Sequence, residues 1–175
     1  MPIDIQRLRA LVRDIPDFPK PGIVFKDITP LLADEVGFSS VIDETVVHFG
    51  RGNVDKVVGI EARGFILASP VAYHFGAGFL PVRKAGKLPY QVESEEYALE
   101  YGTAVLEAHQ DAIKPGERVL IVDDVLATGG TARAAARLVE RLGGQVVGIA
   151  CLIELGFLHG RDNLVGYDFF GLITY

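Results

Sequence analysis

Apolar residues recur at helical spacing through Ile5, Leu8, Leu11, Val12 and Ile15, which predicts an amphipathic helix over residues 4–15. Pro16, Pro19, Pro21 and Gly22 halt it and impose an extended, turning segment that continues from Ile23 to Leu32. Val41, Ile42, Val46 and Phe49 mark a second helix, closed by Gly50 and Gly52. The pattern then changes to short apolar runs, as expected of strands buried on both faces, at Lys56–Ile60, Phe79–Val82 and Val119–Val122, with a longer one at 145–155. Helical stretches separate them, from Gly64 to about Phe75 and from Ala132 to Leu142, the latter stopped by Gly143 and Gly144. Residues 83–95 are polar and without period, and residues 97–101 and 103–107 suggest two short strands hinged at Gly102. Lys114–Glu117 is a turn, and a short polar helix and a last strand near Tyr167–Phe170 close the chain. Strands alternating with helices predict an α/β fold, a mostly parallel twisted sheet flanked by helices.

Chemistry concentrates where the run Val119–Val122 meets Asp123 and Asp124 and then Ala127-Thr-Gly-Gly-Thr131. Open α/β sheets bind ligands at the carboxyl ends of their strands. The turn has no bulky side chains, so its amides can close around an anion, and the helix starting near Thr131 adds the positive end of its dipole. Paired carboxylates beside such a cradle suit a ligand with a phosphate, neighbouring sugar hydroxyls and a divalent cation.

Composition narrows the picture only a little. The 175 residues suit one domain with a full core, and 49% hydrophobic with 23% charged residues is a globular balance. A net charge of −6 argues against a general nucleic-acid binder. The single Cys151 allows neither a disulfide framework nor a cysteine metal site, and it reads as a small buried hydrophobe. His48, His74, His109 and His159 are not spaced as metal ligands. Gly64–Val82 carries no Asp, Glu, Lys or Arg, but prolines, glycines, Ser69 and His74 interrupt it, so no membrane span is expected. Without a signal-peptide core, the chain reads as cytoplasmic.

The segment Val119–Thr131 resembles the 5-phosphoribosyl-1-pyrophosphate (PRPP) motif of the type I phosphoribosyltransferases. The resemblance implies that Ala127, Thr128, Gly129, Gly130 and Thr131 hold the 5-phosphate, with Asp123 and Asp124 facing the ribose hydroxyls or a metal shell. Glu61, Ala62, Arg63 and Gly64 resemble the family's pyrophosphate loop, in which an unusual backbone geometry turns amides toward the anion; Arg63 can fork onto phosphate oxygens. Arg83, Lys84 and Lys87, followed by Leu99-Glu-Tyr-Gly102, resemble the flexible catalytic loop over residues 83–102. There Glu100 would manage a proton on the purine, Tyr101 and the three cations would meet pyrophosphate, and closure would exclude water. Phe18–Pro30 resembles an N-terminal hood within residues 1–34, with Val24, Phe25 and Lys26 against the base; Leu126 would pack on the purine face.

Ala127 stands where relatives for 6-oxopurines generally carry a carboxylate, so adenine is the base the resemblance implies. The implied reaction joins adenine to PRPP, giving AMP and pyrophosphate. Mg²⁺ would be held mainly by PRPP and water, near Asp123 and Asp124, without a dedicated protein cage. The resemblance also implies a homodimer in which Arg83 or Lys84 is the candidate residue lent across the interface, and no nucleic-acid or membrane partner. Two alternatives remain at this point: a phosphoribosyltransferase for another purine such as xanthine, and a non-catalytic PRPP-sensing regulator.

Overall fold

The computed structural model describes residues 4–99 and 102–175 and divides the chain into two compact units, Met1–Glu44 and Thr45–Tyr175. In the first, helix α1 (Ile5–Ala10) is capped by Asp4, whose carboxylate accepts the amides of Gln6 and Arg7 at 3.0 and 3.1 Å. The helix is much shorter than its apolar spacing suggests. Strand β1 (Arg13–Pro16) pairs antiparallel with β2 (Val24–Asp27), from Arg13↔Asp27 to Pro16↔Val24. A ladder with a segment eight residues further on outweighs the helical period, because Pro16 biases Ile15 toward extended backbone. Helix α2 (Thr29–Ala33) follows, with Pro30 in its first turn, where a missing N–H costs nothing. Helix α3 (Glu35–Phe49) leads into the second unit.

The second unit is built on a seven-stranded sheet in the order β5-β6-β4-β3-β7-β8-β9. Its strands are β3 (Lys56–Ile60), β4 (Gly78–Lys84), β5 (Val92–Ala98), β6 (Thr103–His109), β7 (Arg118–Leu126), β8 (Gln145–Glu154) and β9 (Phe169–Thr174). Neighbours from β4 through β9 are parallel, and β5 and β6 form an antiparallel edge. Helix α4 (Gly64–Phe75) joins β3 to β4, and α5 (Gly130–Arg141) joins β7 to β8. The core carries the apolar runs read from sequence: Val58, Ile60, Val119, Ile121 and Ile149 are all buried, with the Ala134, Ala135 and Leu138 face of α5 packed on them. The Gly64–Val82 stretch resolves into α4 and β4, and no helix among the described residues is long and apolar enough to cross a membrane.

Two expectations need correction. Much of the stretch taken for lid loop is strand: β4 runs to Lys84, and β5 already begins at Val92, paired with His109 of β6. Its alternation was hidden because the inward position is Glu95, a buried carboxylate held by Arg141 at 2.7 Å and Arg137 at 3.5 Å. The motif strand also does not stop at the aspartates, since β7 continues through both to Leu126.

Candidate active site

Strand order reverses between β3 and β7: β4 lies on one side of this pair and β8 on the other. The register Gly59↔Val122 sets the end of β3, Ile60, level with Asp123, so the loop Glu61–Arg63 opens beside the two aspartates, while β7 runs on to Leu126 before its own loop, Ala127–Gly129. This is the crevice at which doubly wound sheets take ligands.

The second loop forms a small cradle. Gly129 has φ 84°, a left-handed conformation in which glycine avoids strain, and it serves as N-cap of α5 without a side-chain hydrogen bond. Among the described residues, no hydrogen bond takes up the amides of Thr128, Gly129, Gly130 or Thr131. They surround a cavity of about 80 Å³ bounded also by Asp123 and Val125. Unpaired amides at a helix N-terminus suit a phosphate-sized anion. A larger cavity of about 530 Å³ lies beside it, between Tyr97–Leu99 and Thr128, Gly130 and Arg133. The Thr131 hydroxyl is 3.4 Å from that of Tyr97.

The two aspartates differ in environment. Asp124 is 5% exposed and its carboxylate is ion-paired with Nε of Arg63, whose side chain stays half-exposed. Asp123 accepts the amide of Asp124 at 2.9 Å. Burial first, and then the neighbouring Asp124 charge, push the Asp123 carboxyl well above its ordinary range. Gly64 makes room for it, since a Cβ there would sit 2.9 Å from Asp123 Oδ1 and 3.0 Å from the Val122 carbonyl.

At the first loop, the peptide between Glu61 and Ala62 is cis, in keeping with an unusual backbone there. Glu61 gathers the cations expected at pyrophosphate. Its carboxylate takes Lys87 Nζ, Arg83 Nε at 3.2 Å and the Lys84 amide at 3.1 Å. The Lys87 contact does most to hold the Glu61 carboxyl below its usual range. An ionised carboxylate accepts and does not donate, so the Glu61 side chain suits cations rather than an anion.

In the first unit, Val24, Phe25 and Lys26 lie on β2; the rings of Phe18 and Phe25 meet edge-on at 5.2 Å, and Lys26 Nζ reaches Asp14 at 2.7 Å. Leu126, expected on a purine face, is instead 1% exposed and packs in the core. Glu100 and Tyr101 lie outside the described residues. Sequence reading missed Asn163, whose amide donates to the Thr128 carbonyl at 2.7 Å. Its only signal was a polar residue in a turn-rich stretch.

Comparison with known proteins follows the same geometry. A family model described as phosphoribosyl transferase domain matches residues 30–170. The adenine phosphoribosyltransferase of Acidothermus cellulolyticus is 62% identical over 164 residues, which cover 93% of each chain. The crystal structure of the adenine phosphoribosyltransferase of Thermoanaerobacter pseudethanolicus superposes with a TM-score of 0.94 at 52% identity, covering 98% of this chain and 100% of that one. The enzyme of Saccharomyces cerevisiae, solved with an imino-altritol bisphosphate and adenine, superposes with a TM-score of 0.91 at 39% identity, covering 96% and 97%.

Proposed function

The chain belongs to the adenine phosphoribosyltransferases, within the wider phosphoribosyl transferase family, and from that premise we propose that it transfers the 5-phosphoribosyl group of PRPP to adenine. The products are AMP and pyrophosphate, a purine-salvage reaction. One observation carries the reading: adjacent parallel strands β3 and β7 each lead at the carboxyl side into a loop and then a helix, with the paired carboxylates Asp123 and Asp124 in β7 between those loops.

In this reading the amides of Ala127–Thr131 and the hydroxyls of Thr128 and Thr131 hold the 5-phosphate. Asp123 and Asp124 take the ribose hydroxyls. Arg63, Arg83, Lys84 and Lys87 meet pyrophosphate, with Glu61 arranging two of them and Tyr101 adding a hydroxyl. The bond from C1 to the pyrophosphate oxygen breaks as N9 of adenine bonds to C1, and the N9 proton leaves. Glu100 is the carboxylate assigned to protons on the purine. Cations beside the departing anion and a site closed to water lower the barrier, together with in-line placement of the two substrates. Val24, Phe25 and Lys26 are assigned to adenine, and the absence of a carboxylate at Ala127 favours it over oxopurines.

The donor set fits Mg²⁺ carried in by its substrate. Asp124 is already committed to Arg63 and Asp123 is held toward its protonated form, so these carboxylates can complete a hydrated ion but make a poor cage. Bound with PRPP, Mg²⁺ would offset leaving-group charge. A homodimer and a cytoplasmic setting belong to the same reading.

Incubation of the protein with PRPP, Mg²⁺ and adenine, hypoxanthine, guanine or xanthine in turn tests it. AMP from adenine alone is expected, and Glu100→Ala and Asp124→Ala should each lower turnover by about a hundredfold or more. Turnover of an oxopurine would overturn the base assignment. PRPP binding without any product would favour a regulator.

A further inference from the structure

The turn after β8 carries none of the phosphoribosyltransferase patterns, yet it presses on the phosphate cradle. Its second 3₁₀ segment, Gly160–Leu164, is anchored in the core by Leu164 and enters through His159 in a left-handed conformation, φ 53°. A Cβ on Gly160 would run into the Ala127 carbonyl oxygen, and a Cβ on Gly129 into that of Gly160. The two glycines thus allow a backbone-to-backbone approach that any side chain would block. Beside them, Asn163 Nδ2 donates to the Thr128 carbonyl at 2.7 Å, while its own carbonyl accepts Arg133 Nη1 at 2.7 Å. Asn163 therefore bridges the cradle to the first turn of α5.

Across a planar trans peptide, the carbonyl oxygen and the following N–H point in opposite directions. Holding the Thr128 oxygen on Asn163 directs the Gly129 N–H away from the turn, and no described group of the protein accepts it. We infer that Asn163, supported by Gly160, is a positioning residue for the 5-phosphate subsite: it sets the orientation of the cradle amides before substrate arrives. This rests on the reading of the cradle given above. A preset amide spares the anion the cost of ordering the loop on binding.

Asn163→Asp tests the idea, because it keeps size and removes the donor. Calorimetric titration of the whole protein with ribose 5-phosphate and, separately, with pyrophosphate separates the two anion subsites. Ribose 5-phosphate affinity is expected to fall about tenfold, the scale of one hydrogen bond lost and an acceptor set against a carbonyl. Pyrophosphate affinity should stay within about twofold, since among the described residues no hydrogen bond links Glu61–Arg63 to Asn163. In turnover assays, KM for PRPP should rise while KM for adenine holds. Unchanged ribose 5-phosphate affinity would overturn the inference, and so would an equal loss for both anions, the mark of a general structural role. If the wild-type protein itself fails to bind ribose 5-phosphate while Asn163 contacts persist, the reading of the cradle falls and the inference with it.

Discussion

Asp123 carries the clearest cost at the residue scale. Its carboxyl is held above the ordinary range by burial and by Asp124, so the folded protein keeps a proton that the unfolded chain releases at lower pH. Stability from this position is therefore full below the unfolded carboxylate range and is lost as pH rises through the folded value. At neutral pH Asp123→Asn, whose side-chain oxygen can still accept the Asp124 amide, should raise the melting temperature by a few degrees. The gain over wild type should shrink as the pH approaches about 4, where an unfolded carboxyl binds its proton. Turnover should fall in the same variant. Thermal melts at a series of pH values decide this, and a destabilised Asn variant at neutral pH would refute it. Asp55 shows the opposite sign: two guanidinium nitrogens of Arg118, and then its backbone amide, grip the carboxylate and lower its pKa to about 2, so that support persists until strongly acid conditions.

Among the elements, the most exposed to perturbation is β5, an edge strand whose inward residue is charged. Arg141 of α5 holds Glu95 at 2.7 Å and Glu93 at 2.6 Å and also donates to the Ser94 carbonyl, so one side chain fastens three consecutive strand residues to a helix. Arg137 adds a longer contact to Glu95 at 3.5 Å. Arg141→Ala should cost about 1–2 kcal/mol, below the value for a fully buried pair because the guanidinium is half-exposed. Denaturant unfolding of Arg141→Ala, Glu95→Gln and the double variant should show a coupling of about 1 kcal/mol. Additive losses would mean that the strand is held by its ladder with β6 alone.

For the whole molecule, the net charge of −6 opposes an anionic substrate at long range, so in the proposed reading binding depends on cations gathered locally at Arg63, Arg83, Lys84 and Lys87. Ligand linkage gives a direct readout. PRPP with Mg²⁺ at a hundred times its dissociation constant should stabilise the fold by about 2.7 kcal/mol. Mg²⁺ alone should leave the melting temperature unmoved, and a chelator should cancel the effect of PRPP without changing the free protein. A shift with Mg²⁺ alone would point to a protein-held ion instead.

The sequence by itself determined the strands with continuous apolar runs, the alternation that makes the sheet mostly parallel, and the positions of the two small-residue loops proposed to hold anions. These are local properties: burial on two faces writes itself as an unbroken apolar run, and an anion cradle as small residues between a strand and a helix. Tertiary structure alone decided the rest. Arg13–Pro16 became a strand because a partner lay further along the chain, and Glu95 could occupy an inward position because α5 supplied its arginines. Leu126 was turned into the core rather than toward a ligand. Glu61 came to hold two cations and Asn163 the Thr128 carbonyl only through residues 22–26 and 35 positions away in the chain. A charge or an amide carries no periodic signal of its own, and its role exists only once the fold has chosen its partner.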